Sequence, residues 1–294
     1  MFETKELASL LAIVTEGSFD AAARQLNITP GALSQRIKQM EERAGHSLLL
    51  RTQPARTTEI GTSVLRLAQQ FQWLSRETAQ QLQALAKDEL ITLTIAVNHD
   101  SHATWFLRAL ADFVKNQTAQ VELKAIDQNL TIRMLSDGTA VAAVTTRAEA
   151  VPGCKVWRLG TLRYKAVAAP EFAKQWFPDL FDQTTPIKAP MVCFDRTDTL
   201  NHQFARRYVR KKLQGPIHYV PASSEMVQAV RLGFGWAMLP EPLIVGLLQE
   251  NELVDLAPDA VIDSTLYWQV WSLQSKLLGI LTDHVRHHAK AALR

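Results

Sequence analysis

Cysteines, net charge and long apolar segments are scarce in this sequence, and each scarcity excludes a class of protein. Its 294 residues include only two cysteines, Cys154 and Cys193, which excludes a disulfide framework or a cysteine-built zinc site and fits a reducing compartment. The formal net charge is only +3, so any binding of nucleic acid must come from a local basic patch. The most apolar later segment, 232–248, is interrupted by a Pro-Glu-Pro stretch and is too short for a membrane span. We therefore expect a cytoplasmic protein.

Signatures of catalysis are also missing. The chain has no Gly-x-Gly-x-x-Gly after a strand, no P-loop, no Gly-x-Ser-x-Gly elbow and no His-Glu-x-x-His, the motifs that carry cofactor, nucleophile and zinc chemistry. His284, His287 and His288 have a helical spacing that suits a metal, but only Asp283 lies beside them. A solvated helix face explains them better. We expect no enzyme activity, no cofactor and no metal site.

The first sixty residues contain the pattern of a helix-turn-helix. The apolar residues Leu7, Leu10, Leu11 and Val14 fall on one face of a helix that ends near Gly17. Ser18 can cap a second, alanine-rich helix, and Thr29 with Pro30 begins a third after a three-residue turn. This arrangement is the one that places a recognition helix in the major groove of DNA.

The third helix has a core face and a free polar face. Leu33, Ile37 and Met40 are spaced to face the core, which leaves Ser34, Gln35 and Lys38 available. Residues 24–58 contain six basic and two acidic side chains, and HSLLLRTQPARTTEIG after Gly45 is typical of a hairpin wing carrying Arg51 and Arg56. Any three-helix bundle contains such helix spacings, so the basic flanks and the wing are what favour DNA binding.

A second segment predicts a long connecting helix. One face of this helix would contain six apolar residues and one threonine, namely Val64, Leu67, Phe71, Leu74, Thr78, Leu82 and Leu85. These positions are separated by 3, 4, 3, 4, 4 and 3 residues. This spacing is close to that of a coiled coil, so the natural partner is a second copy of the chain. The alternative is packing against the chain's own winged domain.

From Leu90 onward, strands and helices alternate as a parallel sheet requires. The first unit is predicted as a strand at 91–97, a helix capped at Ser101 and running to about 116, a strand at 120–127, a helix at 129–136 and a strand at 140–145. The second unit begins near Arg163, with strands at 164–168, 191–194 and 235–238 and helices at 203–210 and 223–232. Four tryptophans in these apolar runs, Trp105, Trp157, Trp236 and Trp268, are expected in the core or in a cleft wall.

Polar residues cluster at the predicted strand ends of both units. Asn98-His99-Asp100, Phe194-Asp195 and the stretch 220–224 would line a cleft between the units, where open α/β sheets bind ligands. A ligand carboxylate would suit the helix start there. The carboxylates of Asp100, Asp127, Asp195 and Asp198 could also hold a cation. Each alone is more often a cap or a solvated loop residue, and only their joint position argues for a site.

These residues resemble the LysR-type transcriptional regulators. The resemblance rests on GSFDAAARQLNITPGALSQRIKQMEERAGHSLLLRTQPARTTEIG and on VQAVRLGFGWAMLP near the end of the second α/β unit. Many members carry Gln-Ser at the start of the recognition helix, where this chain has Pro30-Gly31, so a side-chain amide that could read adenine is lost. More narrowly, LTIAVNHDSHATWFLRAL, FDRTDTLNHQF and SSEMVQAV resemble the ArgP/LysG subgroup.

The resemblance implies a complete architecture. It comprises a winged helix-turn-helix domain at 1–61, a linker and dimerisation helix at 62–88, and an effector-binding domain at 89–294. The last would consist of two Rossmann-like α/β subdomains of periplasmic-binding-protein type, one at about 89–162 with 266–294 and one at about 163–265. DNA-binding candidates are Ser18, Thr29, Pro30, Gly31, Ser34, Gln35, Arg36, Lys38, Arg51, Arg56 and Thr57, and effector-binding candidates are Asn98, Asp100, Ser101, Thr104, Asp127, Thr145, Asp195, Ser223 and Ser224.

The resemblance also implies a function. A homodimer or homotetramer, associated with the bacterial nucleoid, would bind a double-stranded operator, contact RNA polymerase and activate a basic amino acid exporter gene in response to lysine or arginine. Three alternatives stay open: a sequence-tolerant architectural or replication-origin DNA binder, a regulator that senses a different small carboxylate or amino acid, and an α/β enzyme with an accessory DNA-binding module.

Overall fold

The computed structural model describes residues 2–50, 52–82, 90–126, 128–178, 187–210 and 212–294. The N-terminal elements are α1 (Thr4–Glu16), α2 (Phe19–Gln25), α3 (Pro30–Ala44), β1 (Leu49–Leu50), β2 (Arg56–Thr57) and α4 (Glu59–Gln81). The remaining strands are β3 (Ile91–Val97), β4 (Ala119–Ala125), β5 (Ala142–Thr145), β6 (Cys154–Ala168), β7 (Met191–Cys193), β8 (Ile217–Tyr219), β9 (Ala237–Pro240), β10 (Val254–Asp255) and β11 (Ile262–Trp271). The remaining helices are α5 (His99–Ser101), α6 (Leu107–Asn116), α7 (Gln128–Ser136), α8 (Pro170–Trp176), α9 (Leu200–Phe204), α10 (Ser223–Arg231), α11 (Glu241–Gln249) and α12 (Lys276–Ala292), with π-helical turns at His102–Phe106 and Ala205–Val209.

The residues predicted to end α1 and to begin α2 and α3 have these positions in the structure. Gly17 adopts a left-handed conformation (φ 72°) that ends α1. The Ser18 hydroxyl accepts a hydrogen bond from the Ala21 N–H at 3.2 Å, and Thr29 caps α3 in the same way through the Ala32 N–H. The predicted core face of α3, residues Leu33, Ile37 and Met40, is buried. The helix-turn-helix prediction is therefore confirmed.

The β1–β2 hairpin contacts the neighbouring helices at three places. The Glu41 carboxylate on α3 accepts hydrogen bonds from the N–H groups of Leu48 and Leu49 at 2.7 and 3.2 Å. The Ala55 N–H donates to the Gly17 carbonyl at 2.8 Å. At Gly61 a Cβ atom would lie 1.8 Å from the Leu48 carbonyl oxygen, so only glycine permits this approach of α4. The hairpin is a wing with a fixed position beside the recognition helix.

Helix α4 begins three residues before the predicted start of the linker. Thr58 is its N-cap, because its hydroxyl accepts a hydrogen bond from the Gly61 N–H at 2.9 Å. Of the predicted seam, Val64 is buried against the winged domain, as the alternative interpretation expected. The seam residues that follow are exposed apolar side chains at Leu67, Phe71, Leu74 and Leu82. Leu85 lies outside the described residues.

A different face of α4 is docked on the C-terminal domain. The Trp73 ring lies edge-on to Trp271, with ring centroids 6.3 Å apart, and its Nε1–H donates to the Ser275 hydroxyl at 3.4 Å. The buried Glu77 accepts a hydrogen bond from the Leu277 N–H, in the first turn of α12, at 2.9 Å. A carboxylate is favoured there because the first N–H groups of a helix lack partners within the helix. This contact, which we call the α4–α12 joint, links α4 to the C-terminal domain of the same chain.

The central sheet is mixed, which corrects the expectation of a parallel sheet. Its order is β10-β6-β11-β5-β3-β4, with β9 also pairing with β6. Strand β3 is parallel to β4 and β5, as predicted for the first unit. The long strands β6 and β11, however, pair with each other in antiparallel register and extend from the first unit into the second. The sequence pattern missed this because the predicted boundary at Arg163 falls inside β6, so one 15-residue strand was predicted only in its last part.

The two long strands hold the two α/β units together. In the first unit β11 pairs with β5, whereas in the second unit β6 pairs with β9 and β10. The β6–β11 register shifts at Leu266/Tyr267, close to the proposed division of the subdomains at 265/266. Among the residues that the structure describes, no helix is both long and apolar enough to span a membrane.

Two predicted helices have different boundaries. The helix expected to start at a Ser101 cap begins instead at His99, with Asn98 as the N-cap residue, so Ser101 is inside it and fully buried. The helix predicted at 203–210 is α9 followed by a π-helical turn that ends at Arg210, a residue with φ 56°. The sequence contains no glycine or proline that would mark either irregularity. The tryptophans lie as predicted, with Trp105, Trp236 and Trp268 buried and Trp157 half-buried.

Candidate functional site

The free face of α3 is open to solvent. Thr29, Pro30, Gly31, Ser34, Gln35 and Lys38 are all exposed, and Arg56 on the wing is exposed as well. Ser18 and Thr57 are half-buried, because Ser18 caps α2 and the Thr57 hydroxyl is hydrogen bonded to that of Thr62 at 2.7 Å. Arg51 lies outside the described residues. The structure thus groups most of the predicted DNA-binding residues on one helix start and one wing.

A groove runs between this face of α3 and the wing. It has a volume of about 770 Å³, and its lining includes Ser18, Ser34, Lys38, Leu50 and Thr52. The Lys38 ammonium lies 3.8 Å from the Glu42 carboxylate in an exposed pair, and such pairs contribute little and leave the lysine available to phosphate.

Arg36 is directed away from this groove. Its guanidinium donates to the Ser9 hydroxyl at 2.9 Å and to the Lys5 carbonyl at 3.3 Å, both on α1. The contacts shown are therefore structural, and the predicted role in DNA binding has no support from its position. Arg43 on α3 similarly forms an ion pair with the buried Glu6.

A cavity of about 480 Å³ lies between the two α/β units. The first unit contributes the loop that starts α5, and the second contributes the end of β7, the start of α10 and strand β9. Four of the predicted effector-binding residues line it, namely Asn98, Asp100, Asp195 and Ser223. Its lining also includes Tyr164, Asp198 and Asp263 but, among the described residues, neither lysine nor arginine. The prediction of a cleft lined from both units agrees with this geometry.

Asp100 is the central acidic group of the cavity. One of its oxygens accepts a hydrogen bond from the Tyr164 hydroxyl at 2.6 Å, and the other accepts one from the Ser223 hydroxyl at 2.7 Å. Burial raises the pKa of the Asp100 carboxyl, while these two hydrogen bonds oppose the shift. Because Ser223 begins α10 in the second unit, this carboxylate ties the two units together across the cavity.

Asn98 presents an unsatisfied group to the same cavity. Its side chain is 8% exposed, and its Oδ1 atom has no hydrogen-bond partner among the described residues. A buried polar atom without a partner carries a free-energy cost unless a ligand or water satisfies it. At a cavity wall, this oxygen is therefore positioned to accept a hydrogen bond from a ligand.

The other carboxylates are occupied within the protein. Asp195 accepts hydrogen bonds from the Thr197 N–H and hydroxyl at 2.6 and 2.7 Å, and the pKa of Asp195 is lowered mainly by these bonds. Asp198 accepts from the N–H groups of Phe194 and Leu200 at 2.9 and 3.0 Å. Asp263 forms two hydrogen bonds with the Arg163 guanidinium, which lower the pKa of Asp263. Asp195 and Asp198 thus give the cavity negative charge without being free ligands, whereas the charge of Asp263 is balanced by Arg163.

The idea that these aspartates hold a cation is not supported. Across the described part of the chain, no group of three or more histidine, cysteine, aspartate or glutamate side chains is placed to hold a metal ion. Asp195 and Asp198 instead cap the loop after β7, which is the commoner role for such residues. Asp127 lies outside the described residues.

Several predicted effector-binding residues lie away from the cavity lining. Ser101 is fully buried inside the helix that begins at His99, and the Thr104 hydroxyl donates to the Asp100 carbonyl at 2.6 Å. Thr145 is buried and accepts from the Arg147 N–H at 3.1 Å, whereas its neighbour Thr146 lines the cavity. Ser224 is exposed on α10 and is likewise outside the lining.

Sequence reasoning missed Tyr164 and Asp263 as cavity residues. Both lie on the long antiparallel strands, Tyr164 on β6 and Asp263 on β11. The predicted residues lie at the carboxyl ends of strands that were expected to be parallel, where open sheets bind ligands. Recognition of β6 and β11 as strands common to both units would have placed these side chains at the cavity.

Comparison with known proteins assigns both the part of the chain that contains the groove and the part that contains the cavity to one family. The family model "Bacterial regulatory helix-turn-helix protein, lysR family" matches residues 4–62, and the model "LysR substrate binding domain" matches residues 86–290. The transcriptional regulator LysG of Mycobacterium tuberculosis is 39% identical over 289 residues, covering 98% of this chain and 94% of that protein. The lysine export transcriptional regulatory protein LysG of Corynebacterium efficiens is 38% identical, covering 98% of both chains.

Solved structures show the same likeness over the full length. The crystal structure of ArgP from Mycobacterium tuberculosis superposes with a TM-score of 0.92 at 38% identity, covering 100% of this chain and 99% of that one. Full-length LysG from Corynebacterium glutamicum with bound effector Arg gives a TM-score of 0.85 at 35% identity, with both chains fully covered. The chain, which has a helix-turn-helix with a wing and a cavity between two α/β units, thus belongs to the LysR family of bacterial transcriptional regulators.

Proposed function

We propose that this regulator activates a basic amino acid exporter gene in response to lysine or arginine. The observation that carries the effector's identity is the charge of the cavity, whose described lining contains four aspartates and neither lysine nor arginine. A negative, partly buried cavity favours a ligand with a cationic side chain. The names of two relatives agree, since one is a lysine export regulator and another is a LysG with bound Arg.

The cavity also suits the other end of an amino acid. Helix α10 begins at its wall, and its N-cap residue is Ala222, which supplies no side-chain acceptor for the first N–H groups. These N–H groups and the helix dipole favour a ligand carboxylate. Asn98 Oδ1, which lacks a partner among the described residues, is placed to accept from an ammonium group.

Asp100 is the group that would bind the effector's cation. It already accepts two hydrogen bonds, from Tyr164 and Ser223. A guanidinium or ammonium group that replaces the Ser223 contact would change how the first unit is held to the second. Effector binding and the relation of the two units would then be coupled, which is the requirement for a ligand-driven population shift.

The remaining parts of the proposal concern DNA. Ser34, Gln35 and Lys38 would enter the major groove and Arg56 would contact a flanking phosphate. The exposed stripe at Leu67, Phe71, Leu74 and Leu82 would join two copies of the chain. A dimer or tetramer would then place its winged helix-turn-helix domains on successive half-sites of the operator. Activation would take place at the bacterial nucleoid through contact with RNA polymerase.

The proposal is tested by a panel of amino acids in thermal unfolding of the full-length protein. Arginine or lysine should raise the unfolding free energy by about 2.7 kcal/mol at 100 times its dissociation constant, whereas aspartate and leucine should have no effect. If a different amino acid stabilises the protein, the identity of the effector is wrong. If none does, the α/β domain is not an amino acid sensor and the architectural alternative gains support.

A further inference from the structure

The second α/β unit carries a concentration of positive charge that the proposed effector site does not use. Residues 199–224 contain Arg206, Arg207, Arg210, Lys211 and Lys212 and no aspartate or glutamate. With a formal net charge of +3 for the whole chain, the remaining residues sum to −2, because +3 minus +5 is −2. The excess positive charge of the protein is therefore local to this segment.

Four groups of this segment surround a single pocket of about 520 Å³. Its lining is His202, Ala205, Arg206, Arg210, Lys212 and Leu213. None of these residues lines the cavity that contains Asp100. Within the described part of the chain, Arg206, Arg210 and Lys212 form no ion pair, in contrast to Arg163 and Arg231 of the same unit, which pair with Asp263 and Glu252. Three permanently charged groups thus meet at one concavity without a protein counter-ion among the described residues.

The backbone holds these cations together at an energetic cost. Arg206 and Arg210 are four residues apart, and like charges at this spacing repel one another on a helix. The helix changes to a π-helical turn at Ala205–Val209, and Arg210 is held at φ 56° with its N–H donating to the Ala205 carbonyl at 2.6 Å. A left-handed arginine is strained, and π-helical turns occur frequently at functional sites.

The turn is rigid because its apolar side chains are part of the core. Phe204, Ala205 and Val209 are buried, and the Tyr208 hydroxyl donates to the Val261 carbonyl at 2.8 Å. Arg206 and Arg210 are exposed on the other side of the same turn. The backbone from which the two arginine side chains extend is therefore set by a packed element rather than by a loose loop.

We propose that the pocket formed by His202, Arg206, Arg210 and Lys212 is a second ligand site that binds a phosphate group. Guanidinium groups bind phosphate oxygens through paired hydrogen bonds, and a lysine adds a compact positive charge. The phosphate belongs either to a small phosphorylated molecule or to the backbone of the DNA that the winged helix-turn-helix domains bind. The site is independent of the amino acid effector, so it stands or fails separately from the proposed function.

The experiment uses the full-length protein with inorganic pyrophosphate as the probe. Pyrophosphate, at constant ionic strength against chloride, should stabilise the wild type in a saturable way in thermal unfolding. The double variant Arg206→Gln/Arg210→Gln should bind pyrophosphate at least tenfold more weakly. Arg108→Gln/Lys115→Gln, which removes two exposed charges from α6, is the matched control and should bind like the wild type.

Two further readouts make the result decisive. The conservative Arg206→Lys/Arg210→Lys variant should show intermediate affinity, because it keeps the charge and loses the paired hydrogen bonds. In the absence of any ligand, every variant should unfold in one cooperative thermal transition like the wild type, which shows that each one is folded. The proposal is overturned if pyrophosphate gives no saturable stabilisation, or if both double glutamine variants bind it equally well.

A second arm identifies the source of the phosphate. For a random-sequence duplex, the dependence of log affinity on log salt should become shallower by about two in Arg206→Gln/Arg210→Gln if DNA phosphates occupy the pocket. An unchanged dependence, together with the loss of pyrophosphate binding, assigns the site to a small phosphorylated molecule.

Discussion

Asp100 is the residue on which the effector cavity most depends. Asp100 lies in the first unit. Its carboxylate connects this unit to β6 through the Tyr164 hydroxyl and to α10 through the Ser223 hydroxyl. Burial raises the pKa of the Asp100 carboxyl, whereas a cationic ligand at this carboxylate would favour its ionised form. Ligand affinity and proton binding are therefore linked at one side chain.

Replacement of Asp100 by asparagine should remove that linkage. A cationic effector binds the ionised carboxylate, so we expect arginine affinity in the wild type to fall as the pH drops from neutral and this carboxyl, whose pKa is raised by burial, takes up its proton. Asp100→Asn should bind arginine about 10- to 100-fold more weakly at neutral pH and should lose this pH dependence. Calorimetric titration over this range measures both. The exposed Asp259→Asn is the control and should match the wild type.

The same substitution predicts a change in stability with the opposite dependence on pH. A carboxyl whose native pKa lies above its unfolded value holds its proton more strongly when folded, so its ionisation destabilises the native state as the pH rises from about 4. Without effector, the wild type should therefore lose unfolding free energy relative to Asp100→Asn over this rise. A constant difference between the two proteins would show that burial does not raise this pKa.

On α3, Ser34 and Lys38 should have separable effects on DNA binding. In the proposed function Ser34 contacts base edges, so Ser34→Ala should reduce discrimination against altered operators by about 1 kcal/mol. Lys38→Ala should weaken binding to all sequences and reduce the salt slope by about one. Binding titrations on an operator selected from random DNA, at several salt concentrations, measure these quantities. Gln39→Ala, also exposed on α3 but outside the lining of the groove beside the wing, should change neither.

At the scale of elements, α4 has two partners within the chain and one exposed apolar face. Its beginning is buried against the winged domain at Val64, its later part is docked on the C-terminal domain at the α4–α12 joint, and its apolar stripe is exposed. Leu67 is 47% and Phe71 43% exposed. Exposed apolar side chains in a continuous row on a rigid helix are typical of an interface.

A negative charge in this stripe should separate the protomers. Phe71→Glu would place a carboxylate without a counter-ion in the proposed dimer interface, which should weaken dimerisation by on the order of 100-fold. Gln72→Glu adds the same charge at a neighbouring exposed position outside the stripe and should leave the dimer intact. Sedimentation velocity over a concentration series distinguishes the two variants. Equal sedimentation of both would place the interface elsewhere.

At the scale of the whole molecule, the proposed function requires that a signal from the cavity reach the winged domain through α4. Only the α4–α12 joint, among the contacts described above, connects the linker helix directly to the core of the C-terminal domain through buried groups. Glu77 accepts from Leu277 and Trp73 packs against Trp271. A rigid joint converts a change between the two α/β units into a change in the position of the winged domains.

Loosening the joint should therefore uncouple effector binding from the DNA response. In the wild type, we expect arginine to change the DNase footprint on an operator. Glu77→Ala removes the acceptor for the first turn of α12 and should lower stability by about 1 kcal/mol, preserve arginine affinity and diminish the footprint change. Glu77→Gln retains an acceptor oxygen and should respond like the wild type. If Glu77→Ala changes the footprint fully on addition of arginine, the joint does not transmit the signal.

The sequence by itself determined the local architecture of the winged domain. The caps Ser18 and Thr29, the proline at the first position of α3 and the core spacing of Leu33, Ile37 and Met40 act over three or four residues, so their effect can be predicted without a partner element. The same holds for strand β3 and for the carboxylates at strand ends, of which Asp100 and Asp195 lie at the cavity.

Only the tertiary structure decided which of these residues share a site. Tyr164 reaches Asp100 because the long strand β6 continues through both units, and Ser223 reaches it across 123 positions of sequence. Ser101 is buried rather than at the helix start because Asn98 begins the helix, and Arg36 turns to α1 because Ser9 and Lys5 offer acceptors there. Contacts of this kind depend on strand register and side-chain packing between distant segments, which no pattern along the chain specifies.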